Sequence, residues 1–231
     1  MDRAQQEIVR LENVGRSYQQ DSIAVDALSG VSLTVHAGEF LALVGPSGSG
    51  KTTLLNLIGG LDSPSSGKIW IDGQEIGGLS KPRLSELRLR RIGFVFQEYN
   101  LIPVLSALEN VEYVMLLQGV PSNERRDRSM AMLRDVGLQG MEHRRPRELS
   151  GGQQQRVAVA RAIVSQPSIV LADEPTANLD SATGAALLDM MRELNESRGV
   201  TFLFSTHDTM VMERARRIVR LKDGRIVSDQ A

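Results

Sequence analysis

One glycine-rich segment constrains the fold of this chain more than any other feature. Its glycines allow consecutive backbone N–H groups to wrap closely around phosphate oxygens, while its lysine supplies a positive charge and its threonine offers a hydroxyl to Mg²⁺. The segment, together with the next threonine as part of the predicted nucleotide site, consists of Gly45, Pro46, Ser47, Gly48, Ser49, Gly50, Lys51, Thr52 and Thr53. Residues 45–52 are called the phosphate loop below.

The sequence on either side of the phosphate loop supports this interpretation. Residues 40–44 are an apolar run suited to a buried parallel strand. Residues 51–60 carry Leu54, Leu55 and Ile58 at helical spacing, so the helix would point its positive N-terminal end at the phosphates. The alternative is a chance match in a glycine-rich loop, which this strand–loop–helix context disfavours.

Composition excludes several classes of protein. A net charge of −1 over 231 residues gives no electrostatic case for nucleic acid, so no nucleic-acid partner is expected. The absence of cysteine excludes a disulfide scaffold and a thiolate metal site, and it fits a reducing cytoplasm. No stretch approaches the roughly 18 apolar residues of a membrane span, and residues 1–10 lack a signal-peptide core. We therefore expect a chain that stays in the cytoplasm.

Four short apolar runs are each followed by polar residues that could take part in binding or catalysis. Ligands of open α/β sheets bind beyond the carboxyl ends of the strands, so one site at one edge of the sheet is expected. The runs and the groups that follow them are 40–44 with the phosphate loop, 92–96 with Gln97, 169–172 with Asp173 and Glu174, and 202–206 with His207.

The remaining patterns complete the predicted fold. Residues 31–35 and 68–72 alternate in polarity, as antiparallel strands with one wet face do. Residues 97–165 are mostly helical in pattern and lie between two core strands. We predict one domain over residues 1–231, an α/β phosphate-loop NTPase core with a mostly parallel sheet, an N-terminal antiparallel β subdomain and an α-helical insertion at about 97–165.

Two acidic residues and one hydroxyl are candidates for the chemistry. Asp173 follows a buried strand, the position from which a carboxylate holds Mg²⁺ in phosphate-loop enzymes, and Thr52 is the second predicted metal ligand. Glu174 can polarise the attacking water. The alternative, a pair of exposed acids at a strand end, loses weight once the phosphate loop is present.

Three further side chains are weaker candidates. Gln97 can coordinate Mg²⁺ or water through its amide, or it can be an ordinary strand-terminal amide. His207 could bond the γ-phosphate and the water, although a lone histidine at a strand end is usually structural. Tyr18 could stack on adenine, and a half-buried structural tyrosine is an equal alternative.

A second anion-binding element follows about a hundred residues after the first. Ser150 is a natural helix N-cap, and Gly151, Gly152 and Gln153 begin a helix with a buried apolar face. A helix N-terminus with two glycines can bind an anion. Because one nucleotide does not need two such elements from one chain, the pattern hints at a second copy.

These motifs, in this order, resemble the ATP-binding cassette (ABC) ATPases, the motor subunits of ABC transporters. The matching residues are Tyr18, the phosphate loop, Gln97, the signature segment 149–153, Asp173 with Glu174, the turn Asn178-Leu179-Asp180, and His207. The resemblance implies an active ATPase that uses ATP and Mg²⁺. It also implies a homodimer in which each signature segment closes on the other chain's ATP, and a separate integral membrane permease that holds the ATPase on the inner face of the membrane.

Within that family, residues 93–103 and 107–111 resemble the LolD/MacB branch, which serves lipoprotein release and macrolide or peptide export. One alternative is an FtsE-like ATPase that drives a membrane-linked cell-wall regulator. Another is a soluble ABC ATPase acting on nucleic acid or ribosomes. DNA-repair relatives insert long coiled coils where this chain has only residues 98–148, and translation factors usually carry two cassettes.

Residues 101–105 are a nearly unbroken apolar run just after Gln97. Either they belong to the core of the helical insertion, or they form an exposed lip that receives a short helix of the permease.

Overall fold

The computed structural model describes residues 6–20 and 23–230 and contains two sheets. The first is antiparallel, with strand order β2-β1-β4-β5. Its strands are β1 (Glu7–Gln20), β2 (Ile23–His36), β4 (Ser66–Ile71) and β5 (Gln74–Glu75). Both strands that the alternating pattern predicted are present in it. The long β1 was not predicted, because its register shifts repeatedly along the pairing with β2 and interrupts the alternation.

The second sheet has the order β10-β9-β3-β8-β7-β6 and is parallel except for its edge strand β10. Its strands are β3 (Phe40–Val44), β6 (Ile92–Val95), β7 (Ile169–Asp173), β8 (Phe202–Thr206), β9 (Arg217–Lys222) and β10 (Arg225–Gln230). The four predicted core strands are confirmed, and the phosphate-loop NTPase fold class with them. The β9–β10 hairpin is an addition to the prediction.

The helices surround this second sheet. They are α1 (Lys51–Ile58), α2 (Lys81–Arg91), α3 (Ala107–Leu117), α4 (Ser122–Asp135), α5 (Gly151–Ile163), α6 (Ser181–Arg198) and α7 (Thr209–Arg214), with a short 3-10 helix at Pro146–Glu148. Helices α3 to α5 lie between β6 and β7, in the stretch expected to be helical; that this stretch is a subdomain of its own stays a prediction. Within the described residues, no helix combines the length and apolar character needed to cross a bilayer.

The parallel sheet is buried on both faces, which fixes the positions of its strand ends. Along β3, Leu41 and Leu43 pack with the antiparallel sheet and α1. Phe40 and Ala42 point to the other side and pack with residues of helices α3 to α7. Such two-sided burial is typical of parallel strands and explains their nearly continuous apolar sequences.

Candidate functional site

The phosphate loop joins β3 to α1 and depends on glycine in two different ways. Gly48 and Gly50 have φ angles of +78° and +101°, in the left-handed region that favours glycine. Gly45 has no room for a side chain, because a Cβ there would lie 2.2 Å from the carbonyl oxygen of Leu221 in β9. The backbone therefore takes a path that other residues would resist.

The β9–β10 hairpin supports the loop from behind. The backbone N–H of Gly224 donates to the carbonyl of Ser49 over 3.1 Å. Ala27 of β2 supports the other side, since a Cβ on Gly50 would lie 2.6 Å from its carbonyl oxygen. The loop is thus enclosed by segments distant from it in sequence.

Lys51 begins α1 and lies within the curve of the loop. Its Nζ donates to the carbonyl oxygens of Gly45 at 2.7 Å and Pro46 at 3.1 Å, and only 8% of the residue is exposed. The buried Ser49 Oγ has no hydrogen-bond partner among the described residues. A held ammonium, a free hydroxyl and a loop without room for side chains fit a phosphate group.

Glu174 is held at the ends of two neighbouring strands. It follows β7 with a φ of +44°, an unusual conformation for a glutamate. Its Oε2 accepts a hydrogen bond from Thr206 Oγ1 over 2.9 Å, and its Oε1 lies 2.6 Å from Nδ1 of His207. The carboxylate is thereby directed by β8 and the residue after it.

Asp173 ends β7 directly opposite Ser205 of β8. Burial is the main cause that raises the pKa of Asp173, and the neighbouring charge of Glu174 adds to it, whereas the nearby hydroxyls of Ser205 and Thr52 oppose that rise. Its buried Oδ1 has no hydrogen-bond partner among the described residues. A partly buried carboxylate with an unpaired oxygen beside a threonine hydroxyl is a donor set that suits Mg²⁺.

The phosphate loop and Glu174 border one cavity of 480 Å³ at the carboxyl edge of the parallel sheet, whereas Asp173 is not part of its lining. It is lined by Ala27, residues 46–53, Glu174 and His207. The structure therefore brings together the phosphate loop and two of the three predicted catalytic residues. The roles of all these residues stay predictions.

Gln97 and Tyr18 lie outside that lining. Gln97 is exposed after β6 and faces Asn178, whose Nδ2 donates to the Gln97 carbonyl over 3.1 Å. The Tyr18 hydroxyl donates to Asp62 over 2.8 Å, and the guanidinium of Arg16 lies 4.5 Å from its ring centroid. That Tyr18 stacks on the adenine of a nucleotide stays a prediction.

The signature segment is also separate from the cavity. Ser150 caps α5, as predicted: its Oγ accepts from the N–H of Gln153 at 3.3 Å, and Gln153 Oε1 accepts from the N–H of Ser150 at 3.0 Å. Gly151 and Gly152 are needed for space, because Cβ atoms there would lie 2.8 Å from the Tyr99 hydroxyl and 2.3 Å from Thr183 Cγ2.

Sequence reasoning missed the groups that position the predicted residues. Thr206 and Ser205 were included only as part of an apolar run, yet the Thr206 hydroxyl donates to the Glu174 carboxylate and the Ser205 carbonyl accepts from the Glu174 backbone N–H over 2.9 Å. Their signal was available, because neighbouring parallel strands end side by side and the last residues of β8 must therefore face those of β7. Ala27 gave no signal, since only the three-dimensional fold brings it to the loop.

A glycine loop between a buried strand and a helix, opening at the carboxyl edge of a parallel sheet, defines a phosphate-loop nucleoside triphosphatase. The class becomes narrower on comparison with known proteins. Residues 28–177 match the ABC transporter family model, and the chain belongs to that family as an ABC ATPase.

Two named relatives and a solved structure agree with this family assignment. The chain is 46% identical over 220 residues to the lipoprotein-releasing system ATP-binding protein LolD of Pseudomonas syringae pv. tomato, covering 95% of this chain and 97% of the relative. It is 47% identical to the macrolide export ATP-binding/permease protein MacB of Hyphomonas neptunium, covering 96% of this chain but only 34% of that longer protein. A dimeric ATP-binding cassette in a post-hydrolysis state, bound to ADP and Pi, superposes with a TM-score of 0.88 at 43% identity, covering 96% of this chain and 98% of the other.

Proposed function

We propose that this chain is the ATP-hydrolysing subunit of a LolD/MacB-type transporter, in which two copies close around two ATP molecules and drive a separate membrane permease. The observation that carries the proposal is the cavity at the carboxyl edge, where the phosphate loop meets Glu174 and His207 while the signature segment lies elsewhere. Such a chain contains half of each of two sites.

The residues have the following proposed roles. The N–H groups of the loop and Lys51 bind the phosphates. Glu174, held by Thr206, accepts a proton from the attacking water, and His207 orients that water and the γ-phosphate. Gln97 senses the occupied site from the neighbouring strand, and Tyr18 packs against the adenine. A positioned general base of this kind typically contributes about 10²–10⁴-fold to the rate.

Mg²⁺ is a proposed cofactor, and its proposed ligands are Thr52, Asp173 and, from outside the cavity lining, Gln97. When bound, it neutralises the charge that builds on the phosphate oxygens during phosphoryl transfer. The unpaired Oδ1 of Asp173 and the nearby Thr52 hydroxyl support this assignment.

The second copy follows from the position of the signature segment. Ser150 and the N-terminal end of α5 carry the partial positive charge of a helix N-terminus, which can balance phosphate charge. The solved cassette at 43% identity is a dimer bound to ADP and Pi, which supports the same assembly here. We propose a homodimer in which Ser150, Gly151, Gly152 and Gln153 of each chain complete the site of the other.

The proposed docking place of the permease is an apolar groove of 410 Å³. Phe94, Phe96, Val114 and Leu89 contribute to its lining, and Leu61 lies at its edge with 50% of its surface exposed. The run 101–105 was expected to be either core or an exposed lip, and it contains residues of both kinds. Leu101 packs against the core, whereas Val104 is 73% exposed. Docking to a permease would place the chain peripherally on the inner face of the membrane.

The decisive experiment combines hydrolysis with dimer formation. The wild-type chain should hydrolyse Mg·ATP, and Glu174→Gln should bind it, stop turning over and accumulate as a dimer in size-exclusion chromatography. A Glu174→Gln chain that turns over normally would remove Glu174 from the proposed role.

Docking is tested with two matched exposed apolar residues. Leu61→Asp should abolish co-purification with the permease from detergent-solubilised membranes and leave ATP binding intact. Val227→Asp on β10, where the residue is 59% exposed, is the control and should not affect co-purification. Equal retention of the permease by both variants would place the docking surface elsewhere.

A further inference from the structure

The segment that follows Gln97 has an unusual backbone. Tyr99 and Asn100 are consecutive non-glycine residues with φ angles of +58° and +48°. Such conformations persist only where surrounding contacts hold them, and they often occur where a segment switches or transmits a change. The question is which part of the molecule holds them.

Helix α5 provides the contacts, and one arginine provides two of them. The Arg161 guanidinium donates from Nη1 to the carbonyl of Asn100 over 2.6 Å and from Nη2 to the carbonyl of Tyr99 over 3.0 Å. A planar guanidinium can bond two adjacent acceptors with a fixed geometry, which a lysine ammonium cannot reproduce. The two strained residues are therefore held by a single rigid group.

Two further contacts tie the same segment to the same helix. The fully buried Gln155 donates from Nε2 to the carbonyl of Phe96 over 3.1 Å and to that of Pro175 over 2.8 Å. At the start of α5, the Tyr99 hydroxyl occupies the space next to Gly151, where a Cβ would lie only 2.8 Å away. The segment is thus held along much of the length of α5.

These contacts connect two sites that have different proposed partners: the groove assigned to the permease and the signature segment assigned to the nucleotide of the second chain. Arg161 and Asn100 both line the apolar groove assigned to the permease. The opposite end of α5 is the signature segment, about 15 Å from Arg161 at Gly151 for a helix with a rise of 1.5 Å per residue. One helix therefore reaches from the groove to the position that faces the second nucleotide.

We infer that Arg161 is a positioning residue that fixes segment 96–100 to helix α5, so that the groove, the segment after Gln97 and the signature N-terminus move as one body. This inference rests on the proposed function for the meaning of the two ends. Arg161 does not contact the substrate. It acts by coupling movement of the signature segment to movement of the segment after Gln97, the residue proposed to sense the occupied site.

The chain offers a matched control on the same helix. Arg156 also donates to backbone carbonyls, from Nη1 to Val136 over 2.8 Å and from Nη2 to Ala186 over 3.4 Å, but its acceptors lie outside segment 96–100. A general requirement for arginine in α5 would make Arg156→Lys as damaging as Arg161→Lys. A specific role in holding the segment would not.

The test measures amide hydrogen exchange and steady-state ATPase in the full chain. Arg161→Lys should speed exchange of the amides in 97–101 about tenfold or more, while Arg156→Lys leaves them unchanged. Arg161→Lys should also lower kcat about tenfold with KM altered less than about twofold, since ATP binding is intact and only the later closure is affected. Arg156→Lys should stay within about twofold of wild type in both constants.

Two results would overturn the inference: equal losses of kcat in the two variants, or faster exchange in 97–101 with kcat unchanged. If Arg161→Lys does not fold, as judged by thermal unfolding, Arg161→Gln against Arg156→Gln makes the same comparison. A wild-type chain without ATPase activity would instead overturn the proposed function, and the exchange measurement would still decide whether Arg161 holds the segment.

Discussion

The N-terminal ends of helices α1 and α5 are both candidates for binding phosphate, yet they are built differently. The N-cap of helix α1 is Gly50, which has no side chain to accept from the first N–H groups. The N-cap of helix α5 is Ser150, whose capping box with Gln153 already satisfies two N–H groups at that end. The first end therefore leaves its N–H groups to a nucleotide held by its own chain, whereas the second end has part of its N–H groups satisfied by its own cap.

The glycines of the two segments differ as well. Gly48 and Gly50 have left-handed φ angles, and Gly48 has open space beside it among the described residues. Gly151 and Gly152 lie in the first turn of α5, where they make room for Tyr99 and Thr183. Glycine is thus needed for backbone conformation at α1 and for packing at α5, and a motif match alone does not separate these two reasons.

The largest expected effect tests whether ATP hydrolysis takes place in the cavity at the N-terminal end of α1. Glu174→Gln keeps the shape of the side chain but cannot accept a proton, so kcat should fall by about 10²–10⁴-fold while Mg·ATP binding is retained. Turnover and nucleotide binding are measured on the same preparation. Thr206→Val, which removes the hydroxyl bonded to Glu174, should lower kcat by a smaller factor, and an effect as large as that of Glu174→Gln would contradict the assigned order of roles.

The second prediction separates the two helix ends between chains. Lys51→Ala should inactivate the site of its own chain, whereas Ser150→Arg should inactivate the site of its partner. An isolated heterodimer of the two variants therefore has one site with both lesions and one with neither, and it should keep roughly half of the wild-type activity if the sites work independently.

An inactive heterodimer could mean that both sites must work together or that the shared-site assembly is wrong. A crosslink between cysteines placed at position 150 of one chain and position 47 of the other separates these cases, because it forms only in the proposed arrangement. The chain has no cysteine of its own to interfere.

The third prediction tests the two reasons for glycine. Gly152→Ala should lower the free energy of unfolding by about 1–3 kcal/mol through crowding against Thr183 Cγ2. Thr183→Ser removes that methyl group and keeps the hydroxyl that bonds Asp180, so the double variant should recover most of the loss. Gly48→Ala should cost about 1–2 kcal/mol through its φ angle alone, without relief from any neighbouring substitution. Urea unfolding measures all three.

The smallest expected effect concerns pH. Because burial raises the folded-state pKa of Asp173 above the ordinary value of 3.8, the folded chain binds this proton more tightly than the unfolded chain does. The free energy of unfolding therefore falls as pH rises from 3.8 through the folded-state pKa. In EDTA and without nucleotide, Asp173→Asn should raise Tm at neutral pH by a few degrees at most, on the order expected for a small change in stability. The gain should vanish in strong acid, and a constant gain at every pH would exclude Asp173 as its source.

Sequence patterns predicted the parts of the molecule that short-range chemistry dictates. Strands β3, β7 and β8 carry continuous apolar runs because both their faces are buried, and the cap at Ser150 is local. The parts that escaped prediction depend on long-range geometry. Examples are the irregular β1, the β9–β10 hairpin behind the loop, and the bonds from Arg161 to the Tyr99 and Asn100 carbonyls.

The hairpin behind the phosphate loop has a consequence for synthesis of the chain. Gly224 donates to Ser49, and Leu221 limits the space at Gly45, so the loop acquires its full set of contacts only after residues 217–230 have been made and paired. Domains fold as the chain leaves the ribosome, N-terminal parts first. We therefore expect a nascent chain that stops short of residue 217 to bind ATP poorly, a property that nucleotide-affinity capture of truncated chains can measure. Binding of ATP would then distinguish chains that contain residues 217–230 from shorter ones before they associate with a permease.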